Sequence, residues 1–146
     1  MKVQLTHPLR QRLVQTALEW EREFGVAPAI TTALSEFDAA ILVGHSPTSF
    51  GQEMQGVTAV RKGVDFHWQG VRYQVKAHRS SGKRGSKITN AGKASNYDWD
   101  RLIWVRYDEL YVPQEAWQWE VDDYRREFDA RPRLSPEDMR RGRRLA

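Results

Sequence analysis

The chain has 146 residues, 40% of them apolar and 29% charged, with a formal net charge of +4 and no cysteine. That length and balance suit one domain with its own apolar core and argue against a disordered chain. Without cysteine there are no disulfides and no thiolate zinc sites; no run nears the ~18 apolar residues of a membrane span, and the first eight residues lack a signal-peptide stretch, so the expected location is the cytoplasm.

The first predicted element is an amphipathic helix over 8–24. Pro8 suits a first turn and Gly25 an ending. Leu9, Leu13, Thr16, Ala17, Trp20 and Phe24 recur at helical spacing, which predicts a core-facing stripe. A second helix is expected from about Ser35 to Val43. Ser35-Glu36-Phe37-Asp38 has the form of a capping box, with Asp where Glu or Gln is commoner, and Gly44 stops the helix. Residues 44–63 read as irregular, apart from a short strand around 57–60.

Residues 64–78 carry the clearest pattern. Two alternating runs flank Gln69-Gly70, which suits a two-residue hairpin turn. Val64, Phe66, Trp68, Val71, Tyr73, Val75 and Ala77 form one set; Asp65, His67, Arg72, Gln74, Lys76 and His78 form the other. Successive strand side chains point to opposite faces, so one set enters the core and the other gathers the polar groups. A turn at 69–70 sets 66 opposite 73 and Asp65 opposite Gln74, with Cβ atoms ~5 Å apart. Lys76 follows two residues further along the same face.

Residues 79–96 form a loop rich in Ser, Gly and Lys, beside which Tyr97 and Trp99 are candidates for stacking on bases. Residues 102–107 are strongly β-prone, Asp108-Glu109 turns the chain, and 111–112 and 116–119 continue the sheet. A short helix over 121–128 is expected to turn Val121, Tyr124 and Phe128 inward. The tail over 131–146 is expected to be basic and partly helical after Ser135-Pro136-Glu137-Asp138.

Charge is distributed unevenly. Residues 66–97 hold seven Lys or Arg and no acid, and residues 131–144 hold six Arg against two acids. Clustered positive charge attracts polyanions through counterion release, which makes nucleic acid the expected partner. Arg79, Lys83, Arg84, Lys87 and Lys93 are the candidate phosphate contacts. No glycine-rich phosphate loop is present, so no nucleotide cofactor is expected.

Gly63-Val64-Asp65, a hairpin, then Tyr73-Gln74-Val75-Lys76 resembles the core of the PD-(D/E)xK nucleases. It is most similar to the branch with Gln-x-Lys in the third strand, as in Mrr-type restriction enzymes. Ser35-Glu36-Phe37-Asp38-Ala39-Ala40 resembles the helix that supplies a further acid. The resemblance covers about residues 35–119. Val64 stands where the motif has Pro, and Gln74 where it commonly has an acid.

The resemblance implies a single domain over 1–146 of the α/β (α+β) class, with a restriction-endonuclease-like mixed sheet of four or five strands flanked by helices. It implies hydrolysis of DNA phosphodiester bonds with Mg²⁺, for which Mn²⁺ substitutes. Asp65, Gln74, the Val75 carbonyl and Glu36 would be the metal ligands, and Lys76 would orient water or stabilise the developing charge. A homodimer is expected, since cutting both strands takes two such sites. The competing expectations are a catalytically silent DNA-binding protein of the same fold, a junction-resolving nuclease, and an RNA-directed nuclease.

Overall fold

A computed structural model describes residues 7–56, 63–83 and 87–146. The strand expected over 57–60, and Arg84, lie outside those residues. Helix α1 (Pro8–Phe24) has the expected bounds: Pro8 opens it and Gly25, at φ 86°, closes it with an N–H bond to the Glu21 carbonyl. Helix α2 (Thr31–Val43) starts four residues before the expected cap at Ser35. Ser35 is buried inside the helix, and its hydroxyl donates back to the Thr32 carbonyl at 3.0 Å.

Helix α3 (Pro47–Gln55) occupies part of the stretch expected to be irregular. Ser46 caps it, Pro47 takes the first position, and Ser49 closes the capping box where Glu or Gln is usual.

A five-stranded mixed sheet follows, in the order β1 (Phe66–Trp68), β2 (Val71–Arg79), β3 (Arg101–Tyr107), β4 (Pro113–Glu120), β5 (Arg143–Arg144). Only β2 and β3 run parallel; the other neighbours are antiparallel. With its helices this is an α+β fold. The β1–β2 turn is the expected one: Gln69 and Gly70 both have positive φ (50° and 79°), and Phe66, His67 and Trp68 face Tyr73, Arg72 and Val71. The β3–β4 turn also falls near Asp108, though the chain re-enters the sheet at Pro113, later than 111–112.

The two sheet faces bury separate cores. Phe66, Tyr73, Val75, Ile103, Val105 and Tyr107 pack with Leu34, Ala39 and Ala40 of α2. On the other face Leu102, Trp104 and Trp119 pack with Trp99, Leu134, Met139 and helix α4 (Val121–Phe128), which turns Tyr124 and Phe128 inward as expected. Trp99 is 1% exposed, so it belongs to this core and cannot stack on a base. Tyr97 is also engaged: its hydroxyl donates to Asp129, and burial followed by that carboxylate pushes its pKa up to about 12.

Most of the apolar stripe of α1 does not face the core. Leu9, Leu13, Trp20 and Phe24 are exposed, and of the stripe only Ala17 is buried, together with Arg10. Part of the reason is electrostatic. Arg10 grips Asp38 of α2 through two bonds of 2.7 Å, and Tyr107 donates to the same carboxylate at 2.6 Å. That buried cluster, with Val14, Ala17 and Leu18 packed on the core beside it, sets the helix so that Leu9, Leu13, Trp20 and Phe24 stay outside.

The tail is likewise built into the fold. Helix α5 (Pro136–Met139) precedes β5, which pairs with β4. Arg131 binds Asp138, Arg141 binds Glu127, and Arg140 binds Glu115 and Glu137. Arg144 lies over Trp117, leaving Arg133 and Arg143 as the tail cations without such a partner among the described residues. Most of the charge expected to attract a polyanion is therefore spent inside the molecule.

Glu115 shows what that pairing does. Arg140, then Arg106 and Trp117, bond its carboxylate and lower its pKa from 4.5 to about 2, against the opposing effect of burial. A depressed folded pKa contributes stability above the unfolded value and loses it as pH falls through the folded one. Between pH 4.5 and 2 the contribution, ~2 kcal/mol after allowance for solvent reaching the arginines, should therefore disappear. Glu115→Gln should flatten that part of the stability–pH curve, as read by urea midpoints.

Candidate active site

The hairpin and α2 together make a polar cleft of about 260 Å³, lined by Thr31, Thr32, Ser35, Asp65, Gln74, Val75, Lys76 and Ala77. Its position follows from strand lengths. β1 pairs only with 71–73, so from Gln74 onward β2 has no strand on that side among the described residues. The open edge, the end of β1 and the first turn of α2 enclose the cleft.

Asp65 sits just before β1, where the expected pairing with Gln74 gives way. Its N–H bonds to the Tyr73 carbonyl at 2.8 Å, and its carboxylate accepts the Val75 N–H at 2.7 Å. The side chain thus caps the open edge of β2, and in doing so stands in the same cleft as Gln74 and Lys76. Gly63 helps to hold this entry: its φ is 73°, and a Cβ there would collide with the Asn96 amide. Arg72, a second cation of the hairpin, is held by Asp100 at 3.0 Å.

Gln74 and Lys76 make no side-chain hydrogen bond or ion pair among the described residues. A half-buried ammonium without a partner beside a carboxylate is uncommon in this molecule, where most arginines are paired. In a strand, one residue's N–H and C=O point to the same side. The Val75 carbonyl therefore faces the open edge, as its N–H does. Asp65, the Gln74 amide oxygen and the Val75 carbonyl form a set of hard oxygen donors near one another, which fits Mg²⁺ or Mn²⁺ and does not fit a soft metal. Among the described residues no group of three or more His, Asp or Glu gathers around a common point.

The cleft has a second feature that the sequence reading missed. α2 has no side-chain cap and no acid in its first turn, and Thr31 and Thr32 of that turn line the cleft. The unsatisfied N–H groups and dipole of a helix start favour an anion. The signal lay hidden because the helix start was placed at Ser35.

No protein-family model matches the chain, and no curated protein matches it significantly. Glu36 is half-buried one turn along α2 from Thr32 and is not among the residues lining the cleft. His67 is exposed and its backbone N–H bonds Glu53; the Nε2 of His78 lies close to Gly92, and His78 is not among the residues lining the cleft.

The basic contacts divide. Arg79 grips Glu21 with two bonds of 3.0 Å, donates to the Glu109 carbonyl and lies 4.2 Å over Tyr111. Lys93 donates to the Asp129 and Arg131 carbonyls at 2.7 and 2.8 Å. Both are engaged by partners within the molecule. Lys83 and Lys87 are exposed and remain available.

Proposed function

We propose that the chain is a metal-dependent endonuclease that hydrolyses DNA phosphodiester bonds in the cytoplasm. The observation that carries this reading is the meeting of Asp65, Gln74 and the unpaired Lys76 in one cleft against the start of α2. Such a cleft offers oxygen ligands to a cation and positive potential to an anion, the two requirements of phosphodiester chemistry. A divalent cation bound there supplies Lewis acidity toward a phosphate oxygen. Asp65 would hold it with Gln74 and the Val75 carbonyl, and Glu36 would join them through a change of side-chain position.

The protein's own groups do the rest. The Lys76 ammonium is a compact cation that can hold a water or a non-bridging phosphate oxygen in place. The first-turn N–H groups of α2 would offset phosphate charge in a site already partly shielded from solvent. Lys83 and Lys87 would grip the backbone on either side without reading sequence. Lys83→Ala and Lys87→Ala should each weaken duplex binding alike across sequences and lower the salt-dependence slope by about one, as read by fluorescence anisotropy.

The single carboxylate lining the cleft favours one second reading, a silent DNA-binding domain of the same architecture. Supercoiled plasmid incubated with Mg²⁺, Mn²⁺ or EDTA separates the two. Metal-dependent nicking supports the nuclease; retained binding without cleavage of plasmid, junction or RNA leaves the binding domain.

A further inference from the structure

The exposed stripe of α1 has a shape and a charge pattern that complement themselves. Leu9, Trp20 and Phe24 are 62%, 52% and 64% exposed, a large apolar area for one helix. The stripe is not uniform. Its N-terminal half borders an apolar groove of about 310 Å³ that runs between Leu9 and Leu13 and the rings of Phe37 and Phe50. Its C-terminal half carries a protruding aromatic pair, Trp20 and Phe24, with ring centroids 4.7 Å apart. One half is a recess and the other is a knob.

We propose that this face joins two copies of the chain through an antiparallel α1–α1 contact. In a two-fold interface residue i meets residue j and j meets i. A dyad between Thr16 and Ala17 sets Leu9 against Phe24 of the second copy and Leu13 against its Trp20. The aromatic knob of each copy then enters the groove of the other, and both apolar surfaces leave water together.

Charge chooses the direction. Along the outer flank of the stripe stand Arg12 near the start and Glu19 and Glu23 near the end, none with a partner among the described residues. Antiparallel helices bring like flanks together in opposite order, so Arg12 of each copy falls between Glu19 and Glu23 of the other. A parallel pair would set this flank against the opposite flank of its partner, so Arg12 would not meet Glu19 and Glu23 and the ion pairs would be lost. The contact is independent of the nuclease reading, since it uses no residue of the cleft.

Sedimentation of the full chain at micromolar concentrations is the test, joined to a cross-linking experiment that the absence of cysteine makes clean. A dimer is expected for the wild type. Trp20→Glu, at an exposed site that the monomer does not need, should raise the dissociation constant at least ~30-fold with an unchanged circular dichroism spectrum. Arg12→Glu should weaken it by about fivefold or less, and adding Glu19→Arg and Glu23→Arg should restore it. Thr16→Cys should form a disulfide-linked dimer on mild oxidation. Glu23→Cys should not, because an antiparallel pair holds the two thiols ~20 Å apart along the axis. A monomeric wild type, a dimer indifferent to Trp20→Glu, or equal cross-linking at both positions overturns the proposal.

Discussion

Lys76→Ala and Asp65→Asn should each lower metal-dependent nicking of supercoiled DNA by ~10²–10³-fold, the usual loss when one group that meets developing charge is removed. The choice of Asn at 65 matters. The Asp65 carboxylate accepts the Val75 N–H at 2.7 Å, so an Ala variant would also uncap the edge of β2. An Asn retains an oxygen acceptor for that N–H while losing the negative charge a divalent cation needs. If the role is chemical, nicking falls while the melting temperature stays within about 2 °C, a stability change below ~1 kcal/mol for a chain of this size. If the role is only to cap the strand, nicking survives. Lys76 gives a cleaner comparison, since it has no partner to lose. Lys76→Arg should not restore full activity, because a broad planar guanidinium does not replace a compact ammonium in a tight cleft.

The largest effect on stability is expected from Asp38→Ala. Arg10 and Asp38 are 7% and 1% exposed, and Tyr107, 0% exposed, donates to the same carboxylate. Burial and then the Asp38 charge push the Tyr107 hydroxyl pKa well up, so it remains a donor at all ordinary pH. Removing the carboxylate would strand a buried guanidinium and a buried hydroxyl together. Breaking one side of a buried pair typically costs ~3–5 kcal/mol. For a domain of this size each kcal/mol moves the melting temperature by a few degrees, so a fall of about 10 °C or more is expected in calorimetry. Replacing Arg10 by Met, Asp38 by Leu and Tyr107 by Phe together should recover much of the loss, because no uncompensated charge remains. A fall of under ~1 kcal/mol for Asp38→Ala would mean that water reaches the cluster and that it does not orient α1.

The hairpin was legible because its information is local. Gln69-Gly70 admits a positive-φ turn, and a turn of two residues leaves one register for Phe66 against Tyr73. The ends of α1, the inward residues of α4 and the β character of β3 followed in the same way from caps and periodicity. The grouping of Asp65, Gln74 and Lys76 on one side of the hairpin came from strand alternation alone. What alternation did not reveal was that β1 begins only at Phe66, so that Asp65 reaches the open edge of β2 through the Val75 N–H.

Local pattern failed where two solutions share it. Ser35-Glu36-Phe37-Asp38 reads equally as a cap or as helix interior, and the fold takes the interior because Asp38 must meet Arg10 from 28 residues away. The α1 stripe marks an apolar side without saying whether the core or another surface receives it. The basic runs count charges but do not show their partners: Arg79 finds Glu21 across 58 residues, and Arg140 finds Glu115 across 25.

The sequence by itself therefore determined the elements whose hydrogen bonds and side-chain spacing close within a few residues: α1, the β1–β2 hairpin, β3, α4 and the polar set that supplies the cleft. Only the tertiary structure decided where α2 begins, which side of α1 is buried, which cations are left free and what closes the cleft. Those outcomes depend on contacts between residues far apart in the chain, and a buried charge takes whichever partner the packing brings within reach.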